Sequence, residues 1–174
     1  MQFKAGDYVV HPAHGVGQIV RLEERQLAED APRLYYVIVA DKSTVWVPVN
    51  ADPAVPLREV TPKREIERYR RLLKSDPVSL EKDHAKRRLS IAERLRQGSF
   101  RSMCEVVRDL SARAWQKPLN EAEATLLAKI QMDLCREWAA ADGVSLIEAI
   151  QEVQALLREA QQAHTADRGR VSDM

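Results

Sequence analysis

The sequence predicts an α+β protein of two domains, in which a small bent β-barrel precedes a compact all-α domain of about five helices. Three observations predict this class. β-Branched and aromatic residues alternate with turn residues through the first fifty positions, which is typical of short strands. From Thr61 onward, apolar residues recur at helical spacing. Between these regions Pro53 and Pro56 interrupt any sheet, so the domain boundary is expected within residues 50–61.

The stretch Asp7–Val20, DYVVHPAHGVGQIV, is expected to anchor the barrel. Tyr8–Val10 has the composition of a strand. Pro12 then removes a main-chain donor, and Gly15 and Gly17 permit backbone angles that other residues avoid. The extended pattern resumes after them. We therefore expect a sharp corner at which a second strand crosses the first, as a small barrel requires.

Two further strands complete the predicted barrel. A hairpin loop at Asp30–Pro32 leads into Leu34–Val39, which is rich enough in strand-forming residues to be packed on both faces. Thr44–Val49 follows after a short turn. Asn50–Pro56 cannot continue a sheet and is interpreted as a linker. The barrel domain is accordingly predicted to span residues 1–55.

Capping residues and apolar stripes predict the helices of the second domain, residues 61–160. In chain order the helices begin at Thr61, Leu80, Ser99, Asn120 and Ser145. The last two starts, Asn120–Glu123 and Ser145–Glu148, have the pattern of a capping box. The second is expected to end at Gln97, with Gly98 following it. Residues 161–174 are polar and lack an apolar stripe, so they are expected to form a flexible tail.

Composition is that of a soluble cytoplasmic protein. The 174 residues are 45% hydrophobic and 30% charged, and no apolar run is long enough to cross a bilayer. Cys104 and Cys135 lie far apart and suggest neither a disulfide framework nor a zinc site. His11 and His14 flank a proline but lack the further ligands that a metal needs. With no catalytic triad, phosphate loop or cofactor motif, an enzyme is not expected, and neither is a cofactor.

Charge is unevenly distributed along the chain. Residues 1–60 carry 6 Lys+Arg and 8 Asp+Glu, residues 61–101 carry 13 and 6, and residues 102–174 carry 8 and 12. The net charges are therefore −2, +7 and −4. A basic block between two acidic regions indicates a surface that faces phosphates.

Three collinear motifs resemble one family. F-K-x-G-D-x-V-V-x-P-x-H-G-V-G at Phe3–Gly17, T-V-W-V-P-V at Thr44–Val49 and E-V-V-R-D-L at Glu105–Leu110 are similar to the CarD/CdnL bacterial transcription regulators. The first module also resembles the RNA-polymerase-interacting domain of transcription-repair coupling factors. The resemblance covers residues 1 to about 160. It implies a Tudor-like barrel that docks on the β subunit of RNA polymerase, partly by strand pairing.

The resemblance also assigns polymerase-binding residues. Arg25 falls where the family has one of its interface arginines. The second family arginine lies in the Thr44–Val49 strand, where this sequence has Trp46 instead. An apolar contact by Trp46, flanked by Val45 and Val47, would then replace an ion pair, since aromatic residues are common interface anchors. Packing of Trp46 within the barrel itself is the alternative.

The second helix is expected to contact promoter DNA. It is rich in cations, namely Lys82, Lys86, Arg87, Arg88, Arg94 and Arg96. In the family a tryptophan at the start of this helix wedges into the minor groove at the upstream edge of the melted promoter, and basic residues after it hold the DNA backbone. Here His84 occupies the wedge position, followed by Lys86, Arg87 and Arg88. Imidazole is smaller and less apolar than indole, so a weaker wedge is expected.

These observations predict a monomeric, non-enzymatic regulator without a membrane partner, which binds RNA polymerase and promoter DNA and modulates open-complex stability. Two alternatives stay open. The chain is either a polymerase-binding paralogue without productive DNA contact, or an adaptor whose basic helix binds an acidic protein surface. For the second helix itself, the alternative to a binding role is a solvated charged face. Trp115 and Trp138 are interpreted as packing residues.

Overall fold

The structure, a computed structural model, describes residues 2–50 and 57–172. The chain divides into two compact units, Met1–Val60 and Thr61–Met174, which we call the sheet unit and the helical unit. Apart from Asn50, the predicted linker Asn50–Pro56 lies outside the described residues. The α+β class is confirmed by one antiparallel sheet and five α-helices.

The sheet unit contains five antiparallel strands. They are β1 Tyr8–His11, β2 Gly15–Arg25, β3 Arg33–Ala40, β4 Ser43–Pro48 and β5 Arg58–Glu59. Their order across the sheet is β4-β3-β2-β1-β5. No pairing between the described strands joins β4 to β5, so closure into a barrel stays a prediction. The short strand β5, which sequence patterns did not reveal, pairs with β1.

The predicted corner between the first two strands is a hairpin. β1 and β2 pair directly in antiparallel register, from Tyr8 opposite Gln18 to His11 opposite Gly15. The second strand therefore lies beside the first instead of crossing it. Gly15 has a positive φ of 71°, as expected of a turn glycine. Gly17 is required for space, because a Cβ there would lie 2.5 Å from Ile38 Cγ2.

One face of the sheet forms an apolar core cluster. It consists of Val9, Ile19, Tyr36, Ile38 and Val47, with Phe3, Val45, Val49 and Leu57 packed against it. The Phe3 backbone N–H donates to Tyr36 Oη at 3.0 Å, tying the amino-terminal segment to β3. Tyr35–Ile38 are all buried, so the prediction of a strand packed on both faces is confirmed for its centre.

The hairpin turn makes the stability of the sheet unit depend on pH. His11 is 8% exposed, and its Nδ1 accepts hydrogen bonds from the backbone N–H groups of Ala13 (3.0 Å) and His14 (3.3 Å), which requires an unprotonated Nδ1. Burial, with a smaller contribution from the charge of His14, lowers the pKa of His11. The contribution of His11 to the free energy of unfolding is thus fully present above about pH 6.5, the pKa of histidine in the unfolded chain. It is lost as the pH falls through the lowered pKa of His11 in the folded protein.

We therefore expect urea unfolding of the sheet unit to require less denaturant at about pH 5.5 than at about pH 7.5. A matched variant is His11→Asn, because asparagine accepts the same turn hydrogen bonds without titrating in this range. Its unfolding midpoint should change less between the two pH values. Equal shifts in the wild type and in the variant would show that His11 does not carry the pH dependence.

The helical unit contains five α-helices. They are α1 Ile66–Lys74, α2 His84–Arg96, α3 Phe100–Gln116, α4 Glu121–Asp142 and α5 Leu146–Ser172. A 3-10 turn at Lys63–Glu65 precedes α1. Three boundaries differ from the prediction. Pro62 instead of Thr61 precedes the first helical turn, and Thr61 Oγ1 donates to Glu137 Oε1 at 2.9 Å instead of capping that turn. Asp83 caps α2 by accepting the Lys86 N–H at 2.9 Å, so Lys82 lies before the helix. Residues 161–172, predicted as a flexible tail, continue α5.

The caps of the last three helices follow the sequence. Ser99 and Asn120 accept backbone N–H groups at the starts of α3 and α4, while Ser145 and Glu148 form a reciprocal capping box at 3.1 and 2.8 Å. Gly143 ends α4 in the left-handed conformation. The core between the helices is dominated by large side chains that are fully buried, including Ile66, Leu73, Leu110, Leu134 and Trp138. The described helices include none that combines the length and the apolar character needed to cross a membrane.

Candidate polymerase and nucleic-acid interfaces

β4 is an edge strand, and its outer side is unpaired among the described strands. One hydrogen bond shows which residues of this strand direct their backbone groups toward β3. The Val49 N–H, just after β4, donates to the Leu34 carbonyl at 2.9 Å. Because bonded and non-bonded positions alternate along an antiparallel pair, Val47 and Val45 direct their backbone groups toward β3. The backbone N–H and C=O groups of Thr44 and Trp46 therefore point outward. We call this side of β4 the open edge.

Val45 and Val47, predicted as polymerase-binding residues, direct their side chains toward the core cluster. Val47 is 3% exposed within the core cluster, and Val45 packs against that cluster. Their main-chain groups are directed toward β3, as the alternation of the ladder requires. Their contribution is therefore to hold β4 in place. The positions that can bond an added strand are Thr44 and Trp46.

Arg25 and Trp46, which are far apart in sequence, lie together on the sheet face opposite the core cluster. The Arg25 guanidinium carbon is 4.5 Å from the centroid of the Trp46 ring, a cation–π geometry. Arg25 Nε also lies 3.0 Å from Glu23 Oε1. Trp46 is 37% exposed. This small surface thus offers a partner a flat aromatic ring covered by a cation.

Two residues of this surface, Arg21 and Glu23, were missed by sequence reasoning. Arg21 Nη2 donates to Glu23 Oε2 at 2.8 Å. That hydrogen bond, more than the charges of Arg21 and Arg25, lowers the pKa of Glu23. A bulge between Ile19 and Arg21 shifts the register, and it turns the alternate residues 21, 23 and 25 away from the core face. No sequence signal marks that bulge.

Arg87, predicted to contact DNA, is instead buried. Its side chain is 3% exposed, and Nε lies 2.5 Å from Glu123 Oε1 on α4. Nη1 donates to the backbone carbonyls of Glu81 (2.9 Å) and Lys82 (3.0 Å), and Nη2 lies 2.8 Å from His84 Nδ1. No donor nitrogen of this guanidinium is left for a phosphate. Arg87 joins the start of α2 to the start of α4.

Glu123 is the acidic partner in this cluster. Burial alone would raise its pKa, but the hydrogen bond and charge of Arg87, together with Arg113 and the Asn120 backbone, outweigh burial, so the pKa of Glu123 is lowered. The predicted capping box at the start of α4 therefore shares its carboxylate with Arg87. Asn120 Oδ1 accepts the Glu123 N–H at 2.8 Å, and the Glu123 carboxylate interacts with the Asn120 backbone as well as with Arg87.

His84, Lys82, Lys86 and Arg88 are exposed, as a nucleic-acid interface requires. Within residues 2–50 and 57–172, the side chains of the three cations have no acidic partner. The His84 side chain is 69% exposed, and its Nε2 lies 2.9 Å from Asn120 Nδ2. His84 and Arg88 are one turn apart and share a face, whereas Lys86 lies about 200° around the helix from His84.

The other two cations of the predicted site are neutralised within the helical unit. Arg94 Nη2 donates to Asp109 Oδ2 at 2.8 Å, and Arg96 pairs with Glu93. A groove of about 960 Å³ lies between α2 and the first half of α4, lined by Ala85, Ile91 and Leu126 as well as by His84 and Arg88. The basic surface is thus smaller than the charge count predicts, and it borders an apolar groove.

Both units of the chain match models of known protein domains. Residues 3–61 match the family model described as the CarD-like/TRCF RID domain, and residues 69–162 match the model described as the CarD C-terminal domain. A Bacillus subtilis (strain 168) protein named "Putative transcription factor YdeB" is 29% identical over 145 residues, which cover 82% of this chain and 94% of that protein. The second model alone covers more than half of the chain.

Proposed function

The chain belongs to the CarD-like family of non-enzymatic transcription regulators that act through RNA polymerase, and from this premise we propose how its two units divide the work. The sheet unit, closed as a small barrel, binds the β subunit of RNA polymerase. The helical unit contacts promoter DNA near the upstream edge of the melted region. Together they modulate the stability of the open complex.

The open edge of β4 is the observation that carries the polymerase contact. Outward N–H and C=O groups at Thr44 and Trp46 can pair with a strand of the partner, which is a common mode of protein recognition. Arg25 stacked on Trp46 adds side-chain contact beside that edge. An aromatic ring and an arginine are the residue types that most often dominate interface energetics.

The exposed cations around the start of α2 support the DNA contact. Lys82, Lys86 and Arg88 can neutralise backbone phosphates, which releases counterions and makes binding depend on salt. His84 lies at the first position of α2, where its exposed ring can hydrogen-bond to a minor-groove acceptor. Since imidazole is too small to prop open a base step as a large apolar wedge does, the stabilisation of melted DNA should be weak.

Removing the charges of Lys86 and Arg88 tests the DNA contact. We expect the double substitution Lys86→Gln and Arg88→Gln to make the negative slope of log affinity against log salt less steep by about 1.8. This is about 0.9 for each phosphate that is no longer neutralised. The measurement is a salt titration of full-length protein binding to labelled promoter DNA, with and without polymerase. Arg96→Gln on the same helix is the matched control, because Arg96 is exposed but paired with Glu93.

The control should leave the slope nearly unchanged. If Arg96→Gln lowered the slope by as much per charge as the double substitution does, the effect would be one of net charge, and the proposed phosphate contacts would be wrong.

A second candidate function is favoured by the apolar groove beside Arg88. In that case the helical unit binds an acidic protein surface with apolar side chains, and the chain acts as an adaptor without DNA contact. Leu89 on α2 is 71% exposed, which fits a protein contact. The same charge removals would then weaken binding to polymerase in the absence of DNA and leave the DNA titration unchanged.

A further inference from the structure

A polar cavity, distinct from the apolar groove beside Arg88, lies near the carboxyl-terminal end of α5. It has a volume of about 430 Å³ and is formed by the segment 76–82, by α3 and by the last turns of α5. The side chains that carry its chemistry are Lys82, Arg113, His164, Arg168, Asp76 and Asp109. The segment 161–172, predicted as a flexible tail, therefore takes part in a defined site of the helical unit.

The charge balance of this cavity favours an anion. Asp109 is already occupied, because Arg94 Nη2 and Arg108 Nε each donate to it at 2.8 Å. Arg113 lies 4.0 Å from Glu123. The side chains of Lys82 and Arg168 have no ion pair with any described residue. Two uncompensated cations thus face one carboxylate, that of Asp76, which has no cationic partner in the described part of the chain.

His164 supplies an independent indication of a ligand. Its ring lines the cavity and lies 6.0 Å, between centroids, from the ring of Trp115. Its Nε2 is buried and has no hydrogen-bond partner among the described residues. Buried polar atoms are nearly always satisfied in folded proteins. An imidazole N–H at this atom can donate to an oxygen of a bound anion.

We infer that this cavity binds a phosphate group, held by Arg168 and Lys82 with His164 as an additional donor. The phosphate is assigned to the DNA backbone because Lys82 belongs both to the cavity and to the exposed basic surface at the start of α2. This assignment rests on the proposed DNA contact of the helical unit. It extends the interface from α2 to the carboxyl-terminal turns of α5.

The test compares Arg168→Gln with Arg170→Gln. The two positions lie on the same helix, carry the same charge and are both exposed, but they are about 200° apart around the helix axis, and Arg170 does not line the cavity. In a salt titration of full-length protein with labelled promoter DNA, Arg168→Gln should lower the slope by about 0.9. Arg170→Gln should leave it near the wild-type value.

A second arm separates the sources of phosphate. Inorganic phosphate is titrated into the full-length protein while the His164 imidazole resonance is followed by NMR. A shift in the wild type that disappears in Arg168→Gln supports the phosphate site, whether or not the wild type binds DNA. Failure of the wild type to bind DNA would overturn the proposed function but not the phosphate site. Such a shift with equal DNA slopes for both variants would assign the cavity to a free phosphate. Equal slopes without any shift would overturn the site altogether.

Discussion

Replacing Arg87 with Met is expected to lower the free energy of unfolding of the helical unit by about 3–5 kcal/mol, the cost of breaking a buried ion pair. The substitution leaves the Glu123 carboxylate, 13% exposed, without its cation. It also removes the donor to the backbone carbonyls of Glu81 and Lys82. Buried acceptors that lose a donor pay their full desolvation cost.

Urea denaturation followed by far-ultraviolet circular dichroism measures this effect, since the helices dominate that signal. Arg88→Met is the matched control, because it removes the same charge from an exposed neighbouring position, and its effect should stay within about 0.5 kcal/mol. A double variant, Arg87→Met with Glu123→Leu, should be more stable than Arg87→Met alone, because it removes the orphaned carboxylate.

A loss in Arg87→Met no larger than that in Arg88→Met would contradict the role of Arg87 in joining α2 to α4. The same variants separate structure from binding. Arg87 is expected to affect DNA affinity only through the placement of His84 and Lys82, whereas Arg88 is expected to change affinity without changing stability.

The burial of Arg87 was not predicted from the sequence. Composition predicted a basic helix, and average behaviour places arginines on the surface. The signal that was present is spacing, because Arg87 lies one turn before the buried Ile91 and so shares its face. The partner could not be read from the chain, since Glu123 lies 36 residues away and matched the pattern of a local capping box.

Caps and turn glycines were predicted well because their causes are local. Ser99, Asn120 and Gly143 act on backbone groups within a few residues of themselves, so the sequence around them is sufficient. Strand pairing is not local. The bulge after Ile19 depends on the pairing of β2 with β3, and Gly17 is constrained by Ile38, a residue of β3.

The extension of α5 has a different explanation. Residues 161–172 lack the apolar stripe that marks a packed helix, and this absence predicted a flexible tail. Most of them nevertheless have fair helix propensity, and Thr165 Oγ1 donates to the Gln161 carbonyl at 2.9 Å, one turn earlier. A helix that is already nucleated by the buried Val153 and Leu156 can continue at little cost.

The proposed polymerase contact depends on backbone hydrogen bonds at the open edge of β4, so the loss of a single N–H group there should lower the affinity for polymerase. Thr44→Pro removes an outward N–H from the open edge without removing a donor from the ladder with β3, and proline is tolerated on edge strands. Loss of this interface hydrogen bond, which leaves a partner carbonyl unpaired, should cost about 1–3 kcal/mol. We therefore expect affinity for the polymerase β subunit to fall about fivefold or more.

Thr44→Val is the matched control, because it keeps the N–H group and the β-branched shape while removing only the hydroxyl. Circular dichroism of both variants verifies that the sheet is intact. The decisive measurement is the dissociation constant of each full-length protein for the isolated polymerase β subunit. Retained affinity in Thr44→Val with a loss of about fivefold or more in Thr44→Pro is the result that strand pairing predicts. Equal affinities in the two variants would contradict it.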